Sequence, residues 1–121
     1  MAERNELGRY GEQLAAQYLQ RHGYELLAAN VRCRLGEIDL IAARGGFLVF
    51  VEVKQRKSDA YGSAAAFVDA RKQQRIRLTA EYWLQRHPDE RQPRFDVIEV
   101  YLPYGINTRF PRINHIENAF E

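Results

Sequence analysis

Only one cysteine, Cys33, occurs in the 121 residues, so no internal disulfide can staple the chain. Histidine is scarce too: His22, His87 and His115 stand far apart, and no Cys/His spacing resembles a zinc site. No purely apolar run is longer than Phe47 to Val51, which is far too short to span a bilayer, so no membrane association is expected. The opening stretch MAERNELGRYGEQ is charged from its start, which argues against a secretory segment and makes a cytoplasmic protein the expectation. Repeats, low-complexity tracts and linkers are all missing. One domain over residues 1–121 is therefore expected, and that length can bury a core without covalent staples. Lysine is the rarest charged residue: three lysines stand against fifteen arginines. A net charge of +2 is too small to announce a nucleic-acid binder by itself. Arginine does offer a planar fork suited to phosphate oxygens, although genome composition explains such usage equally well. Against that background Lys54 stands out.

What is present reads as alternating helix and strand. Leu7, Tyr10, Leu14, Ala15, Tyr18 and Leu19 recur at helical spacing from about Asn5 to His22, with Asn5 as N-cap and Gly23 as the stop. Tyr24 to Val31, Gly36 to Ala43 and Phe47 to Arg56 read as strands, and 57–63 as a loop containing Tyr61 and Gly62. A second helix is expected from near Asp69 to His87, with Ile76, Ala80, Trp83 and Leu84 on its apolar face and Pro88 ending it. Phe95 to Leu102 is a further strand, Pro103 to Pro111 is irregular, and Ile113 to Phe120 forms a short closing strand. The expected fold is α/β, a central mixed sheet flanked by helices.

Gly45-Gly46 is a two-residue hairpin signal of the I′ or II′ type. It sets Arg44 opposite Phe47, and counting outward sets Ile41 opposite Phe50, Asp39 opposite Glu52 and Glu37 opposite Lys54. Opposed residues share a face with Cβ atoms roughly 4.5–5.5 Å apart. Asp39, Glu52 and Lys54 should therefore cluster on one side, with Ile38, Leu40, Val51 and Val53 on the other. Two carboxylates so placed repel unless a cation sits between them. Mg2+ is the natural candidate, since it takes oxygen ligands from one or two carboxylates plus phosphate; the Val53 carbonyl could add another. Lys54 would then face a scissile phosphate or an attacking water. A solvated strand face with ordinary cross-strand ion pairs is the competing account of the same charges.

The stretches GEIDLIA and VFVEVKQR resemble the PD-(D/E)xK nuclease superfamily, with Asp39 followed by Glu52-Val53-Lys54. Together with GRYGEQLAAQYL in the first helix and RFDVIEV near the end, the chain resembles the YraN-like family of uncharacterised bacterial proteins, itself similar to archaeal Holliday junction resolvases. The resemblance runs from roughly Asn5 to Val100. It implies a restriction-endonuclease-like core and hydrolysis of DNA phosphodiester bonds with Mg2+ or Mn2+. Asp39 and Glu52 match the metal-binding acids, Lys54 matches the catalytic lysine, and Glu12 matches the acid that resolvases supply from the first helix. No proline precedes Asp39, and Glu37 is left as a competing acid behind the ligands. Arg56, Lys72 and Gln73 are candidate nucleic-acid contacts, whereas Asp96 reads as a structural partner of Arg94 and Trp83 as core. Symmetric cutting by a resolvase would suggest a homodimer. The alternatives are a non-cleaving nucleic-acid-binding module of the same fold, accessory to DNA repair or recombination, and a small interaction protein whose acids make ion pairs only.

Overall fold

The computed structural model describes residues 2–58 and 68–121, with side chains from residue 6 onward, so Tyr61 and Gly62 lie outside the described residues. Helix α1 spans Ala2–Arg21. It begins upstream of the expected N-cap, and Asn5 lies inside it, because Ala2, Glu3 and Arg4 are all good helix formers. Its end is the expected one. Gly23 takes φ 85, Tyr24 N–H bonds to Leu19 O and Gly23 N–H to Gln20 O, the paired bonds of a Schellman stop.

Strand β1 runs Glu25–Cys33, two residues beyond its expected end, because Arg32 and Cys33 continue to pair with Glu37 and Gly36. Strands β2 (Gly36–Arg44) and β3 (Phe47–Arg56) are joined by the Gly45-Gly46 turn. Gly45 alone is left-handed, with φ 56, which is the II′ alternative. Helix α2 spans Ala70–Arg86, and the Asp69 side chain caps it by accepting from Lys72 N–H at 2.8 Å. Strand β4 (Gln92–Tyr101) pairs parallel with β3, starting three residues earlier than expected because its ladder with β3 reaches back to Phe47↔Gln92. A short 3-10 turn at Gly105–Asn107 precedes β5 (Arg112–Phe120), antiparallel to β4.

The sheet order is β1-β2-β3-β4-β5, with one helix on each face. Ala15 and Leu19 of α1 pack on Leu40, Ala42, Val49, Val51 and Val53. Ile76 and Ala80 of α2 pack on Ile41, Leu48, Phe50 and Val97, with Trp83 and Leu84 partly buried beside them. A central strand covered on both faces reads as an unbroken apolar run rather than an alternating one. That is why Leu48 to Val53 are all buried, Glu52 included.

Two polar knots fasten the β4–β5 side. Fully buried Asp96 receives two bonds from Arg94, at 2.9 Å each, one from His115 Nε2 at 2.7 Å and one from Asn118 N–H at 3.0 Å. Burial alone would raise its pKa, but the His115 and Arg94 hydrogen bonds hold it below the usual carboxylate value. Fully buried Glu99 receives Arg56, Tyr101 and Asn114. Among the described residues no buried side-chain nitrogen or oxygen lacks a partner.

Candidate active site

The expected register holds along the whole β2–β3 ladder, from Arg44↔Phe47 through Ile41↔Phe50 to Leu40↔Val51. There the two strands part. Beyond Val51, among the described residues, strand β3 keeps only β4 as its ladder partner, and β2 keeps only β1. Asp39 and Glu52, next in the same register, stand at the fork. Asp39 Oδ2 accepts a 2.8 Å hydrogen bond from Val53 N–H, so the side chain takes over where the backbone ladder stops.

The fork also turns β2 over. Leu40 packs with the α1 cluster, but Ile38, two residues earlier, packs with the α2 cluster. In an unbroken strand such residues share a face, so the alternation reverses at Asp39. Opposite it, Asn30 of β1 sits at φ 52, and the described pairing passes from Ala29↔Leu40 to Val31↔Ile38. This corrects the expectation that Ile38 would lie with Leu40, Val51 and Val53. It also corrects Glu37, which does not oppose Lys54: once β2 has left β3, exposed Glu37 bonds Arg32 Nε across the β1–β2 ladder at 2.9 Å.

Buried Glu52 faces two ammonium groups. Lys72 Nζ lies 2.7 Å from its Oε1 and Lys54 Nζ 3.7 Å from the same atom. The N-terminal end of α2 delivers Lys72, because the Asp69 cap starts the helix beside the fork. Burial, the Glu52 charge and then Glu12 and Glu37 push Asp39 up to about 7, against the Val53 hydrogen bond. Lys54 is lowered by burial and by neighbouring Lys72. For Lys72 burial works downward, but its hydrogen bond to Glu52 holds it above the ordinary lysine value.

Glu12 comes in from α1. Gly11 permits the approach: a Cβ there would stand 2.5 Å from Gln55 Nε2, which donates to Gly8 O at 3.2 Å. Burial raises Glu12, the Asn30 side chain opposes that by hydrogen bonding, and Glu37 adds to it. Glu12 is thus an electrostatic neighbour of Asp39. Two other candidates are engaged elsewhere. Arg56 Nη1 bonds Glu99 at 2.8 Å, and Gln73 donates to Val68 O at 2.7 Å while accepting from Arg77 at 3.2 Å. Asp96 pairs with Arg94 as expected.

Among the described residues no three His, Cys, Asp or Glu side chains form a ready-made metal cage. Asp39 and Glu52 nonetheless provide an all-oxygen pair whose mutual repulsion a cation would relieve. A hard divalent ion of the Mg2+ kind needs no more than one or two protein carboxylates when water and phosphate complete its shell. The residues present fit such an ion held by two acids rather than three.

Sequence reasoning missed the cleft beside this site. It has a volume of about 900 Å3 and opens between the β1–β2 turn and the start of α2, with Glu52 and Lys72 in its lining and Arg34, Arg71 and Arg75 along it. The available signal was the Arg71/Arg75 spacing on α2, which could be read only as a charged helix face.

A mixed five-stranded sheet with a helix on each face, and an acid on each of two antiparallel strands where they part, defines an α/β protein compatible with a restriction-endonuclease-like core. The chain belongs to the uncharacterised protein family UPF0102, whose family model matches residues 11–100. It is 47% identical over 123 residues to a UPF0102 protein of Rhodococcus jostii, covering 99% of this chain and 100% of that one. A UPF0102 protein of Caldicellulosiruptor bescii is 45% identical over 117 residues, covering 95% and 97% respectively. No helix among the described residues is long and apolar enough to cross a membrane.

Proposed function

We propose that this protein is a metal-dependent endonuclease that hydrolyses DNA phosphodiester bonds, with branched or structured DNA as its expected substrate. The observation that carries the reading is the fork: Asp39 and Glu52 converge where β2 leaves β3, with two lysines on the same carboxylate. Asp39, Glu52 and the Val53 carbonyl would hold Mg2+ or Mn2+. When bound, such an ion polarises a phosphoryl oxygen and lowers the pKa of a water in its shell.

The chain's own residues do the rest. Val53 N–H fixes one Asp39 oxygen and so orients the other. Lys54, half-buried and with its pKa lowered by burial and by Lys72, orients the attacking water or stabilises negative charge building on the phosphate. Lys72 holds Glu52 in place until a divalent cation takes that position, and its ammonium then serves the phosphate as a point charge. Glu12 adds negative charge behind Asp39 and so favours a bound cation.

One observation favours a second reading, a nucleic-acid-binding module that does not cleave: Lys72 already neutralises Glu52 at 2.7 Å, and among the described residues no third acid joins the pair in a metal-binding cluster. The test presents single-stranded, duplex, flap and four-way-junction DNA to the protein with Mg2+, Mn2+ or EDTA, alongside Asp39→Ala. Metal-dependent cutting that disappears in the variant is the expected result. Binding with no metal-dependent cutting would overturn the nuclease and leave the module.

A further inference from the structure

We propose that the cleft between the β1–β2 turn and the start of α2 is the path by which one nucleic-acid strand reaches the Glu52 site. Its phosphates would be held by Arg34, Arg71 and Arg75. The inference rests on the nucleic-acid reading above and adds where the strand runs.

The charges along the cleft leave these three arginines over. Arg32 is paired with Glu37, Lys72 with Glu52, and Asp69 is occupied as the α2 cap. Arg34, Arg71 and Arg75 have no ion-pair partner among the described residues. Arg71 and Arg75 are four apart on one helix, a like-charge spacing that destabilises a helix unless an anion lies between. Arg71 lies in the first turn of α2 and Arg75 in the second. Guanidinium groups match phosphate oxygens in a fork geometry. The track is continuous with the fork, since Glu52 and Lys72 line the same cleft.

The base of the cleft is closed where the β1–β2 turn meets α2. Gly36 seats the β1–β2 turn directly on α2: a Cβ there would stand 3.1 Å from Arg75 Cβ and 3.2 Å from Thr79 Oγ1. Cys33 Sγ adds a contact to Thr79 Oγ1 at 3.7 Å. The cleft therefore has a base closed against α2, and its volume of about 900 Å3 gives room for a short segment of one backbone.

The test is fluorescence anisotropy with a labelled single-stranded DNA oligonucleotide and the corresponding duplex, in EDTA so that cutting plays no part. Each phosphate contact on a single strand contributes about −0.7 to the slope of log K against log salt, so losing three lowers its magnitude by about 2. In Arg34→Ala/Arg71→Ala/Arg75→Ala the affinity lost between 50 and 200 mM salt should shrink by about 20-fold. Arg21→Ala/Arg44→Ala/Arg109→Ala, away from the cleft, should keep the wild-type slope, with circular dichroism confirming that both variants fold. The path is overturned if wild type does not bind single strands, if the cleft variant keeps the wild-type slope, if the control variant loses as much, or if duplex binds equally well through the same residues. A nuclease assay without cleavage, beside an intact slope change, sinks the nuclease and leaves the path standing.

Discussion

Asp39→Asn should make the metal-free protein more stable at neutral pH while abolishing any cleavage. The asparagine keeps an oxygen to accept from Val53 N–H and removes the charge that burial and Glu52 oppose. In wild type the Asp39 pKa rises from 3.8 to about 7 on folding. The folded state therefore binds this proton more tightly than the unfolded chain. Between about pH 4 and pH 7 the unfolded state carries fewer protons, and stability falls as pH rises, by about 1.4 kcal/mol per unit. Some three units give about 4 kcal/mol, and solvent reaching the partly buried carboxylate trims the expected gap to about 2–4 kcal/mol. Urea unfolding of both proteins in EDTA, from pH 4 to pH 8, measures it directly. Near pH 4 the two should be nearly equal; by pH 8 the variant should unfold at higher urea with an unchanged slope. A gap that is absent, reversed or independent of pH would refute the claim that Asp39 is a charge held against its surroundings.

The remaining predictions concern the same fork and the knot behind it. Adding Mn2+ at pH 8 to one hundred times its dissociation constant should stabilise wild type by about 2.7 kcal/mol, a melting shift on the order of 10 °C that Asp39→Asn should lack in a thermal scan. Lys72→Ala should lower metal-free stability by about 1 kcal/mol, since the half-exposed ammonium is well screened. The same variant should bind Mn2+ more tightly by calorimetry, because it no longer competes for Glu52; weaker Mn2+ binding would count against a shared position. Asp96→Ala strands the Arg94 side chain, only 12% exposed, and should cost about 3–5 kcal/mol in denaturant unfolding.

The fork could be foreseen only in part. The Gly45-Gly46 turn is a strong local signal, and with period-two counting it carries the register correctly through Leu40↔Val51, which is how Asp39 and Glu52 emerge as neighbours. Counting fails one step later because it assumes the strands stay paired. Nothing in GEIDL announces that Ile38 will change faces, and the left-handed Asn30 that accompanies the change sits in a different strand, in an ordinary-looking AAN. Glu37 was misplaced for the same reason: its true neighbour Arg32 belongs to the strand on the other side. Lys72 could be named from the sequence as a contact for nucleic acid, but not as a partner of Glu52, because that depends on where the Asp69 cap sets the helix axis. The helix stop at Gly23 and the core role of Ile76 and Ala80 were legible because each rests on local chemistry or an uninterrupted period.

Both outermost strands carry a left-handed asparagine, Asn30 in β1 and Asn118 in β5, each at φ 52, and their ladders with β2 and β4 both slip register. Bent and irregular margins of this kind make poor templates for another strand. Such margins disfavour merging the sheets of two copies into one continuous ribbon. A dimer would more readily meet through helices or through the connection between β4 and β5, where Tyr104 is 77% and Phe110 83% exposed. In either arrangement each copy keeps its own five-stranded sheet, and the relation between two forks is set by how rigid bodies dock rather than by a shared backbone.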